Sequence, residues 1–369
     1  MKFIRAKYLK RGVDIFLLYF GKYNFYSLNL VKPMPIEASI KVTENCNSRC
    51  VTCNVWKNKF QEDPTEEKLK EVFFQLKKAG VEVIGFTGGE PLLRKDINEL
   101  IKKAKEITQG QVYIVTNGIL LKDKAKDLVG AGVDWVAVSL DGIGNTDEKI
   151  RGVPGHFRKV IEGIKELKRL KKDLKINIGT TILKNNISEI PELINLCKEL
   201  GVGWTFNLLD KNLYFFEHIE DSELRIFDED LVDKTIEYLY KIRKESSGIF
   251  NLDAQSIEFA RDYLKNKNPH VFCVIGYLRI YIDSKLNLYS GCWALPPLGN
   301  LEKEKLKDIL GSKRYKERIQ KMFYLKCPRC TCGYIENCMI NNLPSTIKYI
   351  LFGHGKSFIK NYKNFLMSQ

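Results

Sequence analysis

Between Ile36 and about Leu209, short β-rich runs alternate with amphipathic helical stretches, and this alternation restricts the fold more than any other feature of the chain. The sequence predicts strands at Ile36–Val42, Val81–Thr87, Val112–Val115, Trp135–Ser139, Lys175–Ile182 and Gly203–Leu209. Helical periodicity falls between them. It begins near Asp63, with Leu69, Val72, Phe73 and Leu76 on one face and Pro64 in the first turn. It returns at Lys95–Glu106, Lys122–Leu128, His156–Leu170 and Ile187–Leu200. Strands separated by helices of this length make βα units and a parallel sheet. An open doubly wound sheet and an incomplete β/α barrel both satisfy the order, and periodicity does not choose between them. After Asp210 the pattern changes. Helices are expected at Asp228–Arg243 and Asp253–Asn266, then a hairpin of Leu278–Ile282 and Leu286–Tyr289 around Asp283-Ser284-Lys285.

Composition narrows the class. The 369 residues are 44% hydrophobic and 28% charged, which fits a folded globular chain and excludes disorder and collagen-like repetition. The apolar run from Ile15 to Phe20 is far shorter than the roughly 20 residues of a spanning helix, so a polytopic membrane protein is excluded. Lys2, Arg5, Lys7, Lys10 and Arg11 are not followed by a long apolar stretch and a small-residue cleavage site, so no secretory signal is expected.

The unusual residues all lie just after predicted strands, where parallel α/β folds collect their ligand chemistry. Ten cysteines are clustered rather than scattered: Cys46, Cys50 and Cys53, then Cys273 and Cys292, then Cys327, Cys330, Cys332 and Cys338. Cys197 stands alone on a helical pattern and is expected to be a buried thiol. In a long chain without an export signal, grouped thiols indicate metal binding in a reducing cytoplasm. Three thiolates at the spacing Cys46-x3-Cys50-x2-Cys53 suit three corners of an iron–sulfur cluster and leave one iron open. Structural zinc usually takes four protein ligands in two separated pairs. Gly88 and Gly89 permit close backbone approach, and Glu90, before Pro91, is placed to accept from an ammonium group. Ser139 and Asp141 end the fourth strand, and Arg151 offers a guanidinium fork suited to a carboxylate. Thr116-Asn117-Gly118 ends the third strand. The four histidines show no metal spacing and receive no catalytic role.

With these residues in view, the chain resembles the radical S-adenosylmethionine (SAM) enzymes. The resemblance implies an incomplete (β/α)6 TIM-like barrel, with Cys46, Cys50 and Cys53 holding a [4Fe–4S] cluster whose open iron chelates SAM. One electron then cleaves the sulfonium, and the 5′-deoxyadenosyl radical takes hydrogen from substrate. It further implies SAM contacts at Gly88, Gly89, Glu90, Pro91, Asn117, Ser139, Asp141 and Arg151; Trp204 to Asn207 suit either a place beside the adenine or simple core. The family usually places an aromatic residue before the third cysteine. Here that residue is Thr52, and Trp56 is the available aromatic cover. The C-terminal cysteines, with Gly299-Asn300-Leu301, resemble the auxiliary-cluster domains called SPASM or twitch. In the twitch form, Cys273, Cys292, Cys327 and Cys330 hold a second [4Fe–4S] cluster, with Cys332 and Cys338 unassigned or substituting for one of them. Six cysteines are too few for the eight ligands of two auxiliary clusters, and a zinc knuckle is the other reading.

The implied organisation is a basic aromatic extension (1–35), a radical SAM core (36–210), a helical connector (211–269), an auxiliary-cluster domain (270–340) and a basic amphipathic tail (341–369). The expected function is that of a radical SAM oxidoreductase or transformase acting on a small molecule or lipid. A peptide-modifying enzyme is the alternative, although 35 residues before the barrel are too few for a peptide-recognition domain. A non-catalytic iron–sulfur or zinc protein is the alternative of another class. A low-potential donor such as ferredoxin or flavodoxin is the expected partner. The net charge of +15 is spread over lysines on helical faces, such as Lys165, Lys168, Lys171 and Lys172, and no nucleic-acid motif accompanies it. The basic, aromatic termini suit either packing over the barrel or contact with a membrane surface, and the expected location is cytoplasmic, peripheral to the membrane in the second case.

Overall fold

The computed structural model describes residues 13–23, 25–58, 62–209, 224–245, 254–267, 269–327, 330–331 and 333–342. Its centre is one nine-stranded sheet in the order β6-β5-β4-β3-β2-β1-β7-β8-β9. Strands β1 (Glu37–Lys41), β2 (Val83–Thr87), β3 (Gln111–Thr116), β4 (Trp135–Ser139), β5 (Lys175–Ile182) and β6 (Gly203–Leu208) pair in parallel with their chain neighbours. A doubly wound sheet reverses its strand order at a switch point. Here the six βα strands run in sequence without reversal, so the sheet is of the barrel type. Among the described residues it stays open, with β6 and β9 (Gly299–Asn300) at its edges.

The helices follow ordinary capping chemistry. After α1 (Phe25–Leu30), α2 spans Glu66–Ala79. Thr65 caps it by accepting from the Lys68 backbone N–H, and Gly80 ends it in the left-handed conformation. Pro64 therefore stands before the cap, not inside the first turn. Leu69, Val72, Phe73 and Leu76 face the core, as the periodicity requires. Then come α3 (Ile97–Thr108), α4 (Leu121–Ala131), α5 (Asn145–Arg151), α6 (His156–Leu170) and α7 (Ile190–Leu200). The short helix α5 was not legible in the sequence. Its seven residues carry no apolar stripe, and it is bounded by glycines at 144 and 152.

The hairpin after the barrel is not a free-standing unit. Its first strand, β7 (Arg279–Ile282), pairs in parallel with β1, with Glu37 opposite Arg279 and Ile40 opposite Ile282. Its second, β8 (Asn287–Tyr289), returns antiparallel, and the Asp283 carboxylate holds the turn by accepting from the Lys285 and Asn287 backbone N–H groups. Helices α8 (Glu229–Glu245), α9 (Ala254–Leu264), α10 (Ile275–Leu278), α11 (Leu306–Gly311), α12 (Lys313–Phe323) and α13 (Tyr334–Asn341) complete the described chain. Helix α13 links the two sides of the open barrel. The Tyr334 hydroxyl donates to the Phe206 carbonyl on β6, and Glu336 accepts from Arg279 on β7 across 2.6 Å. Arg279 also pairs with Glu37 on β1, and Glu37 accepts from the Tyr113 hydroxyl on β3.

The N-terminal segment packs on the C-terminal elements. Met34 and Ile36 donate backbone N–H groups to Tyr277 and Leu278, and Gln320 on α12 donates to Asn29. Residues 13–21 are helical, with Ile15 and Leu18 buried and Val13, Phe16, Phe20 and the following Tyr23 exposed. The tail beyond residue 342 lies outside the described residues. No helix among those described is long and apolar enough to cross a membrane.

Candidate active site

The loop that leaves β1 carries Cys46, Cys50 and Cys53 and is pinned from both sides. On one side the Gly89 N–H donates to the Thr43 carbonyl (2.8 Å) and the Glu90 N–H to the Asn45 carbonyl (2.7 Å). A Cβ on Gly88 would collide with the Thr43 carbonyl oxygen, and one on Gly89 with the Asn45 carbonyl oxygen. The paired glycines are thus required by the cysteine loop itself. On the other side Arg49 and Val51 donate N–H groups to the carbonyls of Arg151 (3.0 Å) and Ile150 (2.9 Å) at the end of α5. From the end of β3, the Asn117 side chain donates to Asn47 (2.7 Å) and Ser48 (3.0 Å) and lies 4.0 Å from the Cys46 sulfur.

Each thiol faces a nitrogen donor. The Ser48 N–H points at the Cys46 sulfur (3.5 Å), the Val55 N–H at Cys53 (3.5 Å), and the Arg151 guanidinium at Cys50 (3.8 Å). Burial pushes all three thiols up, Cys46 to about 11, while these donors oppose the shift. Such thiols stay protonated until a metal displaces the protons, and the donors then stabilise the thiolates. Among the described residues no three metal-binding side chains stand together as ligands of one ion. A four-iron cube spreads its cysteines over separate irons, so it does not require that closeness. Thr52 is buried, and the aromatic Trp56 donates its indole N–H to the Cys50 carbonyl across 3.2 Å.

Glu90 follows Gly89 just after the end of β2. Its carboxylate is fully buried and accepts from the Leu92 N–H (3.0 Å), the Thr116 hydroxyl (2.7 Å) and the Asn117 N–H (2.6 Å). It ties the end of β2 to the end of β3. Burial pushes its carboxyl up to about 7 against the pull of these bonds. Pro91 opens the short turn that follows.

Asp141 is fully buried, accepts from the Thr181 N–H (2.7 Å) and stands 2.7 Å from Arg151. The guanidinium uses one arm for Asp141 and another for Cys50, while its Nε is buried without a hydrogen-bond partner. That orphaned donor beside the thiol loop fits a bound carboxylate. Ser139 ends β4 opposite Gly179 and is half-buried. Trp204 is core, with its indole donating to Thr180, while Thr205 on the other face of β6 bonds Asn177.

Sequence reasoning missed a set of supports behind this site: the buried Asp147, His156 and Asn186, and the half-buried Glu189. Asn186 donates to the carbonyls of Asp141 and Thr181, and Glu189 accepts from Ile143 and Thr146. No local motif marks them, because their partners come from other strand ends.

In the C-terminal region Cys273 and Cys292 are buried in one cluster with Ile275 and Met322, with Cys330 packed against it. Burial pushes the Cys273 thiol up to about 12, and Cys292 and Cys327 both act on it. Cys338 belongs instead to the main core, and Cys332 lies outside the described residues. Cys197 is fully buried in the core, as expected.

A sequential parallel half-barrel with three thiols on its first loop defines a cluster-dependent SAM enzyme fold. Residues 40–197 match the Radical SAM superfamily, and the chain belongs to that family. It is 33% identical over 242 residues to GTP 3′,8-cyclase of Campylobacter jejuni, covering 63% of this chain and 73% of that one. It is 36% identical over 161 residues to Fe-coproporphyrin III synthase of Methanosarcina barkeri, covering 43% of this chain and 40% of the relative's length. Among solved structures it is similar to SuiB of Streptococcus suis bound to S-adenosylmethionine, with TM-score 0.64, 18% identity and coverage of 86% of this chain and 76% of that one. The chain is an enzyme, and members of its family use a [4Fe–4S] cluster and SAM.

Proposed function

We propose that the chain cleaves SAM reductively beside Cys46, Cys50 and Cys53 and uses the radical to take hydrogen from a small molecule or lipid. One observation carries this reading: three thiols on one loop, each with its own donor, stand beside a guanidinium whose Nε has no partner. A [4Fe–4S] cluster held by the three cysteines would supply the electron for sulfonium cleavage. Arg151 would orient the SAM carboxylate, and Asp141 holds the guanidinium in place for it. Gly88 to Pro91, Asn117 and Ser139 lie at the ends of β2, β3 and β4 and are the further candidates for SAM contact.

The substrate class rests on the sequence relatives. Their names give GTP as the cyclase's substrate and an iron porphyrin as the synthase's product, both small molecules. A structure of SuiB with its precursor peptide favours the peptide alternative, but at 18% identity that likeness is one of fold. For the auxiliary site, the gathering of Cys273, Cys292, Cys327 and Cys330 supports one cluster with those ligands, and the core position of Cys338 makes it a poor substitute.

Anaerobic reconstitution with iron and sulfide, followed by dithionite and SAM, tests the reading. About eight irons per chain and formation of 5′-deoxyadenosine are expected. About four irons with deoxyadenosine would turn the C-terminal cysteines into a zinc or structural site. Zinc without iron, and intact SAM, would overturn the proposal.

We also assign the N-terminal stripe of Val13, Phe16, Phe20 and Tyr23 to contact with an anionic lipid surface. Its first three residues are exposed on one helical face, Tyr23 is exposed in the turn that follows, beside Lys22, and Lys2, Arg5, Lys7, Lys10 and Arg11 precede it in the sequence. The protein is expected to float with anionic vesicles, and Phe16→Glu with Phe20→Glu to abolish this. Equal sedimentation with and without vesicles would refute it.

A further inference from the structure

His156 opens α6 and is fully buried, yet the reaction proposed above does not use it. Its Nε2–H donates to the Asn117 carbonyl across 2.8 Å, and its Nδ1 lies 2.5 Å from the Asp147 carboxylate. The other oxygen of Asp147, also fully buried, accepts from the Asp141 backbone N–H across 2.8 Å. One imidazole and one carboxylate thus join the turn after β3 to the turn after β4. The first turn carries the Asn117 amide that holds Asn47 and Ser48 in the cysteine loop. The second carries Asp141, the partner of Arg151. Asp147 and Arg151 also lie on the same short helix, α5, whose end receives the N–H groups of Arg49 and Val51.

We propose that His156 and Asp147 are positioning residues for SAM. They fix the separation between Asn117 and the Asp141–Arg151 pair, the two walls between which the cysteine loop stands. The inference rests on the SAM-site reading above. Both links are buried hydrogen bonds: removing the imidazole leaves the Asn117 carbonyl and the Asp147 carboxylate without that partner, and removing the carboxylate leaves the Asp141 N–H and the imidazole Nδ1 without theirs, away from water. Relief comes from movement of the turns, and small displacements of an orienting group weaken a preorganised site strongly. The bonding pattern matters here, not the charge. An asparagine at 147 still accepts from Asp141 through its oxygen. Its amide donates to Nδ1 of a neutral imidazole, whose Nε2–H still reaches Asn117.

The test uses reconstituted full-length enzyme and its SAM-dependent change in the electron paramagnetic resonance of the reduced cluster. In His156→Phe and Asp147→Ala the SAM concentration for half the spectral change is expected to rise about tenfold, with iron content as in the wild type. Asp147→Asn is expected to restore the wild-type midpoint. Wild-type SAM response in folded His156→Phe would overturn the proposal. So would parallel loss of iron and SAM binding in Asp147→Ala and Asp147→Asn, which marks a purely structural role. Where His156→Phe does not fold, the comparison of Asp147→Ala with Asp147→Asn decides. Absence of any SAM response in the wild type would instead remove the SAM-site reading itself.

Discussion

Cys50→Ala is expected to bring 5′-deoxyadenosine formation down to the protein-free level and to remove about four irons per chain, leaving the C-terminal iron in place. Of the three thiols on the loop, Cys50 is the most enclosed, and its sulfur stands 3.8 Å from the Arg151 guanidinium. A thiol pushed up by burial becomes a ligand only where something stabilises its thiolate, and Arg151 does so at this corner. Alanine removes the ligand and leaves the guanidinium facing a gap. The SAM site then loses a cluster corner and one of the two contacts that aim Arg151. Cys197→Ala is the matched control. That thiol is also buried, and its value is pushed up to about 12 by burial alone, with no donor beside it. It is expected to keep both iron and activity. Cys273→Ala is expected to show the converse of Cys50→Ala, losing the auxiliary iron while the SAM-binding cluster still loads. Retention of deoxyadenosine formation in Cys50→Ala would place the chemistry elsewhere.

Where pattern and chemistry are local, the sequence shows them. The strand Trp135–Ser139, the helix His156–Leu170 and the strand Lys175–Ile182 stand at the boundaries that their periodicity predicts. The hairpin around Asp283-Ser284-Lys285 was legible because its turn residues are adjacent. Its attachment to β1 was not, because the Glu37–Arg279 register joins residues far apart in the chain. The same divide runs through the candidate site. Cys46, Cys50 and Cys53 announce themselves by spacing on one loop. Of the three donors to Glu90, Leu92 is local, but Thr116 and Asn117 become its neighbours only when β2 and β3 align. Asp147 and His156 are nine residues apart with no motif, and their importance lies in Asp141 and Asn117, which other strand ends supply. Sequence thus showed which groups carry the chemistry, and the fold was needed to see which groups hold them.

Gly152→Ala is expected to destabilise the metal-free chain by about 3 kcal/mol and to prevent loading of the SAM-binding cluster, because two penalties fall on the same atom. Gly152 ends α5 in the left-handed conformation at φ 65°, where an L side chain is strained by roughly 1–2 kcal/mol. Its new Cβ would also stand 2.5 Å from the Arg49 carbonyl oxygen, which is backbone and has no flexible end to swing away. Relief requires the cysteine loop to move off α5. That movement stretches the Arg49–Arg151 and Val51–Ile150 hydrogen bonds and carries Cys50 away from the guanidinium. Gly155 separates strain from collision. It too is left-handed, at φ 71°, but nothing lies within 4 Å of a Cβ built there. Gly155→Ala therefore carries only the conformational penalty and is expected to load iron as the wild type does, with a melting temperature a few degrees lower. Thermal melts of the metal-free variants and iron counts after reconstitution check both expectations. Equal behaviour of the two variants would mean that the contact between Gly152 and Arg49 does not hold the cluster loop. A loss confined to Gly152→Ala makes the end of α5 part of the cluster site, although it supplies no metal ligand.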